Sequence, residues 1–157
     1  MNQTTPGRIY PPNAAMRKSL EYMLENFYES ICLDDLADVA QISKFDLCRA
    51  YKRFCGISPM RFLWAFRTIL AAEYIKLQPG WNLTNVCFAC GFNSSAHFSR
   101  MFKKLYGVSP VSFKKENSRD LSGAATGEEL NQLTLAVMTR TLSGEAPGLN
   151  GGGIAAM

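Results

Sequence analysis

The spacing of apolar residues along the chain predicts helices. From Met16 to Ile31, apolar side chains recur at intervals of three and four residues, which is the period of an amphipathic helix. Asn13 stands where it can cap this helix. No segment alternates as a half-buried strand does, and glycine and proline fall at helix ends rather than in hairpin turns. The pattern therefore predicts an all-α fold.

Start and stop signals divide the rest of the pattern into further helices. A short helix is expected at about 33–40. Ser43 and Asp46 form a variant capping box, and the helix that they begin is expected to stop at Gly56. A longer helix then starts at Ser58-Pro59, a cap followed by proline, and runs until 78–80, where the sequence Gln-Pro-Gly breaks it.

The chain contains an internal repeat. Residues 49–62 (RAYKRFCGISPMRF) match residues 100–113 (RMFKKLYGVSPVSF) at an offset of 51. Upstream the offset is 50, so one residue is inserted in the second copy between Phe92 and Phe98. A Gly-x-Ser-Pro terminator kept together with a basic helix indicates two copies of one supersecondary unit. Two packed helical hairpins without a ligand remain the alternative at this point.

Each copy has the pattern of a helix-turn-helix, a short helix and a second helix joined by a turn, near 40–42 and near 90–92. On a helical wheel, the apolar residues of each second helix face inward, and Arg49 and Arg100 occupy the same outward position. An arginine there can donate to guanine O6 and N7, and lysines further along suit phosphates. The second helix of such a motif enters the major groove of DNA.

Charge is distributed unevenly along the chain. The net charge is +4, but the span 44–115 holds twelve basic and two acidic residues, a local charge of +10. The preceding span 17–42 holds two basic and six acidic residues, a local charge of −4. A basic region beside an acidic flank is typical of a protein that meets a polyanion on one side. Scattered solvated lysines are the alternative when charge is considered alone.

Composition and cysteine usage exclude several function classes. The chain has 157 residues, 47% of them hydrophobic, with no signal peptide pattern and no apolar run long enough for a membrane span. Five cysteines, an odd number, indicate a reducing, cytoplasmic protein. Cys87-x-x-Cys90 has no second cysteine pair and lies among apolar residues, so we interpret it as structural rather than metal-binding. With one histidine, His97, the chain offers no catalytic constellation, so we expect no enzyme, metal or cofactor.

At this point the residues resemble a known family, the AraC/XylS family of bacterial transcription regulators. The segment 86–115 (VCFACGFNSSAHFSRMFKKLYGVSPVSFKK) is similar to that family's second helix-turn-helix, and 33–63 is similar to its first. Arg67 and Ala71 match its linker helix. The resemblance covers about residues 14–116 and implies a fold of about seven helices, with two helix-turn-helix subdomains joined by the long linker helix.

The resemblance also implies a function and its residues. It implies sequence-specific binding of double-stranded DNA at promoters and regulation of transcription, with activation through contact with RNA polymerase as the expected sign. Base contacts carried over by position are Phe45, Cys48, Arg49, Ser95, Ala96, Ser99 and Arg100. Phosphate contacts are expected from Lys44, Lys52, Arg53, Ser94, His97, Lys103 and Lys104. A protein-interaction module, such as an anti-activator on a helix-turn-helix scaffold, is the alternative, but it leaves both basic outer faces unexplained.

Two cysteines depart from the family pattern. Cys32 stands where a Ser or Thr cap is usual, so the first short helix is expected to be weakly capped. Cys48 stands where a polar base-contacting residue is common. The first helix-turn-helix is therefore expected to recognise bases more weakly than the second. No effector-binding domain precedes the motif, so both a stand-alone regulator and a DNA-binding part of a longer one fit the sequence.

These expectations define a domain plan. It consists of a flexible arm (1–12), a first helix-turn-helix subdomain (13–57), a linker helix (58–78), a second subdomain (79–117) and a low-complexity tail (118–157). In the tail, Thr126 and Glu129 resemble a capping box before apolar residues at helical spacing, among them Val137 and Met138. This segment is either a short amphipathic helix that docks on the domain or a partner, or a mobile tail with a nascent helix.

Overall fold

A computed structural model describes residues 13–117 and 127–143 of the chain. This part is all-helical, as the apolar spacing predicts, and none of its helices is long and apolar enough to cross a membrane. The expected arm over 1–12 and the tail segments 118–126 and 144–157 lie outside the described residues. The helices are α1 (Ala14–Asn26), α2 (Leu33–Ala40), α3 (Lys44–Cys55), α4 (Pro59–Leu77), α5 (Leu83–Ala89), α6 (Ser95–Tyr106), α7 (Pro110–Asn117) and α8 (Gly127–Ser143).

Helix α1 begins where the sequence predicts and ends earlier than its apolar spacing predicts. The Asn13 side-chain oxygen accepts a hydrogen bond from the Met16 backbone N–H at 2.8 Å, which caps the helix. The helix ends at Asn26, so the expectation that its spacing runs on to Ile31 is wrong. Ile31 lies in the loop before α2 and is still buried, which is why its apolar character fitted the helical pattern.

Arg67 of α4 stabilises the turn that follows α1. Its Nε donates to the Phe27 carbonyl oxygen at 2.9 Å, and its Nη2 donates to the Glu29 carbonyl oxygen at 2.7 Å. Arg67 is only 2% exposed, and burial lowers its pKa to about 10. Gly91 packs directly against this site, since a Cβ there would lie 2.1 Å from the Phe27 carbonyl oxygen and 2.8 Å from Arg67 Nε. Glycine at 91 therefore allows the second helix-turn-helix to meet the loop after α1.

The two helix-turn-helix turns share a left-handed residue at the same place. Gln41 has φ 57° and Gly91 has φ 84°, the region that glycine enters most easily. The N-cap of α3 is Ser43, two residues after Gln41, whereas the N-cap of α6 is Ser94, three residues after Gly91. The inserted residue that the repeat offset predicts therefore lengthens the second turn.

Helix α2 has an acidic cap that the sequence interpretation missed. Cys32 precedes the helix, as expected, and the Asp35 carboxylate accepts a hydrogen bond from its backbone N–H at 2.8 Å. This contact is the acidic half of a capping box, and it holds the pKa of Asp35 below its usual range. The expectation that α2 is weakly capped is therefore corrected: Asp35 supplies the cap that the Cys32 side chain was not expected to provide.

Helix α4 is the shared core of the two subdomains. Ser58 caps it, Pro59 occupies its first position and the helix ends before Gln78, as the sequence predicts. Thirteen of its nineteen residues are buried, and the run 65–72 is buried without interruption. No side of its central part faces solvent. Aromatic contacts link it to both subdomains, with ring-centroid distances of 5.9 Å for Phe62–Tyr51 and 5.3 Å for Trp64–Phe92.

Helix α8 packs on α4 and α1. Val137 and Met138 are buried and belong to the same core as the residues of α4. Of the two alternatives for this segment, the structure has the docked amphipathic helix, and it extends over seventeen residues.

Candidate nucleic-acid interface

Helix α3 presents a basic face because its cap and its apolar residues fix its orientation. Ser43 Oγ accepts a hydrogen bond from the Asp46 backbone N–H at 3.1 Å, which starts the helix. Leu47 and Tyr51 are fully buried, and the Tyr51 hydroxyl lies 2.8 Å from the Ser19 hydroxyl of α1. The opposite side of the helix faces solvent. Its exposed residues are Lys44, Phe45, Asp46, Arg49, Lys52 and Arg53.

Helix α6 repeats this arrangement in the second subdomain. Ser94 Oγ accepts a hydrogen bond from the His97 backbone N–H at 3.3 Å. Phe98 and Phe102 are buried and pack edge-on, with ring centroids 5.7 Å apart. The opposite side again faces solvent. Its exposed residues are Ser95, Ala96, Ser99, Arg100, Lys103 and Lys104.

Three of the predicted contact residues are partly buried. Cys48 lies at the edge of the outer face of α3, and Ser94 is engaged as the cap of α6. The His97 ring packs against the Trp64 and Phe92 rings, with centroid distances of 4.4 and 5.7 Å. Burial, Arg100 and Arg67 together hold the pKa of His97 below its usual value, so the imidazole is neutral near pH 7. His97 thus supports the start of α6 and presents only part of its ring to solvent.

The outward arginines of the two copies differ in their surroundings. Arg49 forms an ion pair with Asp46, one turn earlier on α3. Hydrogen bonds from Ser43 and Arg49 hold the pKa of Asp46 below its usual range. In the second copy His97 stands where Asp46 stands in the first, and Arg100 has no carboxylate partner among the described residues.

The sequence interpretation did not include this ion pair, although an acid and an arginine three residues apart on a helix are the signal for one. A second pair on the same face joins Lys44 Nζ to Asp34 of α2 at 2.8 Å. Both pairs are solvent-exposed, so each contributes little to stability and can exchange with a phosphate or a base. In the first unit, Asp46 and Asp34 therefore compete with a ligand for the side chains of Arg49 and Lys44.

The cysteine pair of α5 faces the core. Cys87 and Cys90 are buried, and burial raises the pKa of both thiols. Within residues 13–117 and 127–143, no group of three histidine, cysteine or acidic side chains is placed to hold a metal ion. The structural interpretation of these cysteines agrees with their packing.

Comparison with known proteins identifies the family. The model of a family described as a helix-turn-helix domain matches residues 36–116, which is just over half of the chain. The chain belongs to the AraC/XylS family. Among curated relatives, an uncharacterized HTH-type transcriptional regulator, YdeC of Bacillus subtilis, is 32% identical over 103 residues, covering 66% of this chain and 35% of YdeC. The transcriptional activator RhaS of Citrobacter koseri is 30% identical over 98 residues, covering 62% of this chain and 35% of RhaS.

A solved structure has the same fold. The DNA-binding domain of AdpA, a global transcriptional factor in complex with a target DNA, superposes with a TM-score of 0.63 at 22% identity, covering 69% of this chain and 98% of that domain. The chain spans about a third of the length of the curated relatives that it matches. The family match ends at residue 116, before α8 begins at Gly127.

Proposed function

We propose that this chain is a sequence-specific DNA-binding transcription regulator that inserts α3 and α6 into successive major grooves of one duplex. The observation that carries the proposal is the repeated exposure of Arg49 and Arg100 on the outer faces of two capped helices joined by α4. A basic, solvent-exposed second helix in each helix-turn-helix is the surface that this motif uses to bind DNA. A pure protein-interaction module leaves both faces without a role.

The length of α4 supports simultaneous binding by both units. Its nineteen residues span roughly 28 Å at about 1.5 Å per residue. Successive major grooves on one side of B-DNA lie about 34 Å apart, and an offset of α3 and α6 from the ends of α4 can supply the difference. Because the units repeat head to tail, one chain would cover two half-sites arranged as a direct repeat, and a monomer suffices.

We assign the two kinds of contact by position in the family's helix-turn-helix. Side chains near the start and middle of each recognition helix, all of them exposed except the partly buried Cys48, read base edges; they are Phe45, Cys48, Arg49, Ser95, Ala96, Ser99 and Arg100. Basic residues, the Ser94 cap and the neutral His97 around them hold phosphates; the full set is Lys44, Lys52, Arg53, Ser94, His97, Lys103 and Lys104. Ala96 offers only an apolar contact, such as to a thymine methyl group. The ion pair of Arg49 with Asp46 favours the second unit as the stronger reader.

Activation of transcription through contact with RNA polymerase is the regulatory role that we propose. RhaS, one of the relatives, is named a transcriptional activator. Transcription in vitro from a promoter carrying the chain's binding site, with and without the protein, tests the sign of regulation. A rise that depends on the binding site supports activation, and a fall contradicts it.

Selection from random DNA, followed by footprinting of the selected duplex, tests the function itself. We expect one protected region containing two related half-sites about one helical turn apart. If six or more phosphates are contacted, the logarithm of affinity falls with the logarithm of salt concentration at a slope of about −5 or steeper, at about −0.9 per contact. Failure to enrich any sequence, together with a flat salt response, contradicts DNA binding.

A further inference from the structure

Helix α8 buries one continuous stripe of side chains. Thr134, Val137, Met138 and Thr141 are all buried, and their spacing of three and four residues places them on one side of the helix. Leu135, on another side, is 51% exposed. The helix thus docks through a specific face, and its exposed leucine provides a natural control position.

The docked face of α8 reaches the linker and the first subdomain. The Thr134 side chain is hydrogen-bonded to that of Tyr74 on α4, and α8 also packs on α1 of the first subdomain. At its C-terminal end, Arg140 lies 3.8 Å from the Glu73 carboxylate. The linker in turn packs on α5, α6 and α7 of the second subdomain. One helix therefore joins α1 of the first subdomain to the linker on which the second subdomain packs.

Few other contacts fix the two subdomains relative to each other. Among the described helices, α1, α2 and α3 pack extensively on each other or on α4, as do α5, α6 and α7, but no extensive packing joins the two groups directly. The close approach of Gly91 to the Phe27 carbonyl and Arg67 is a local contact between turns. A pair of units joined mainly through one helix can change their relative angle when that helix bends or rolls.

We propose that α8 is a positioning element that fixes the relative placement of α3 and α6, so that the chain accepts two half-sites at one spacing only. This inference rests on the proposed DNA-binding function. A fixed placement gives the second unit a high effective concentration at its half-site once the first unit has bound. A loosened placement lowers that effective concentration and lets other spacings bind comparably. Val137 and Met138 are the positioning residues.

The test compares Val137→Asp with Leu135→Asp in the full chain. The first substitution places a charge in the buried stripe, whereas the second places the same charge on the exposed side of the same helix. Affinity is measured for three duplexes built from the selected site: both half-sites at their natural spacing, both half-sites with one added base pair, and one half-site with the other replaced by unrelated sequence.

For the wild-type chain and for Leu135→Asp, we expect the added base pair to lower affinity about tenfold. For Val137→Asp, we expect affinity at the natural spacing to fall about tenfold, the penalty of the added base pair to shrink to about threefold or less, and single-half-site affinity to stay within about twofold. A merely stabilising role of α8 would lower binding to all three duplexes by the same factor, and that result overturns the proposal.

The milder double change Val137→Ala, Met138→Ala covers the case in which Val137→Asp does not fold, as judged by circular dichroism. For this double variant, we expect the affinity penalty of the added base pair to shrink in the same direction, but by less. A spacing penalty unchanged from wild type in a folded double variant overturns the positioning role while leaving DNA binding intact. Absence of wild-type binding to any selected duplex overturns the proposed function and this inference together.

Discussion

At the residue scale, the exposed arginines of α3 and α6 differ in whether a carboxylate holds them. Arg49 is exposed but paired with Asp46, whereas Arg100 has no carboxylate partner among the described residues. Forming a base contact with Arg49 requires that the ion pair break or rearrange. The second unit is therefore expected to supply most of the sequence discrimination.

Replacing Arg100 with alanine should cost about 1–3 kcal/mol of binding free energy on the selected site and relax the preference at one base pair. Lys103→Ala is the matched control from the same exposed face, and it should weaken binding to selected and random duplexes alike. Binding isotherms on both duplexes measure the difference. Equal losses on all sequences for both variants would show that Arg100 does not read a base.

Replacing Asp46 with asparagine should raise DNA affinity about threefold, since it removes a negative charge from the interface and releases Arg49. The gain should shrink at high salt, and the preference at the base pair facing Arg49 should change. Asp34→Asn, which releases Lys44, is the control and should raise affinity without altering base preference. If Asp46→Asn leaves both affinity and preference unchanged, the ion pair does not restrain Arg49.

The lowered pKa of His97 predicts a loss of stability in acid. Below its ordinary value of about 6.5, the unfolded chain binds a proton that the folded chain resists, so the free energy of unfolding falls until pH reaches the lower folded-state pKa. His97 is the only histidine, so His97→Gln should flatten the pH dependence just below about pH 6.5. Urea unfolding at several pH values measures it. An equally steep dependence in the variant would assign the effect to other groups.

At the element scale, left-handed residues terminate or turn the helices, and they are not equivalent. Gly56 ends α3 with φ 78° and has open space around the position of a Cβ. Gly91 has a similar φ but stands against the Phe27 carbonyl and the Arg67 guanidinium. Gly56 is needed only for the left-handed backbone conformation. Gly91 is needed for that conformation and also for the close contact between the two subdomains.

Substitution of each glycine by alanine should separate the two effects. Gly56→Ala should cost about 1–2 kcal/mol of stability, the conformational penalty of a left-handed residue with a Cβ. Gly91→Ala should cost about 2 kcal/mol more, because its Cβ meets backbone that must shift. Denaturant unfolding of both variants gives the comparison. Equal costs would mean that the loop after α1 moves aside easily.

At the scale of the whole molecule, the proposed binding requires α4 to hold α3 and α6 at a separation close to one turn of DNA. Inserting about five base pairs between the half-sites turns them to opposite faces of the duplex. Affinity for that duplex should fall to the level of a single half-site. An insertion of about ten base pairs restores the facing of the half-sites but lengthens their separation, so it tests whether distance alone prevents binding. Unchanged binding after the shorter insertion would show that the two units do not read DNA together.

Local sequence signals determined most of the helices and the outward faces of the readers. Caps at Asn13, Ser43 and Ser58, the apolar spacing and the repeat offset act over a few residues, so they can be read without tertiary structure. The outward placement of Arg49 and Arg100 follows from the same spacing. The family motif over 86–115 added the expected fold and function.

Only the tertiary structure decided features that depend on residues far apart in the chain. Arg67 ends the turn after α1 by binding carbonyl groups about forty positions away, and Gly91 must be glycine because that same site leaves no room for a Cβ. The docking of α8 likewise depends on an apolar face of α4. The helical pattern of α4 shows that this face is buried, but it does not show which helix covers it. Periodicity shows which side of a helix is buried, but the element that buries it is set by packing across the whole molecule.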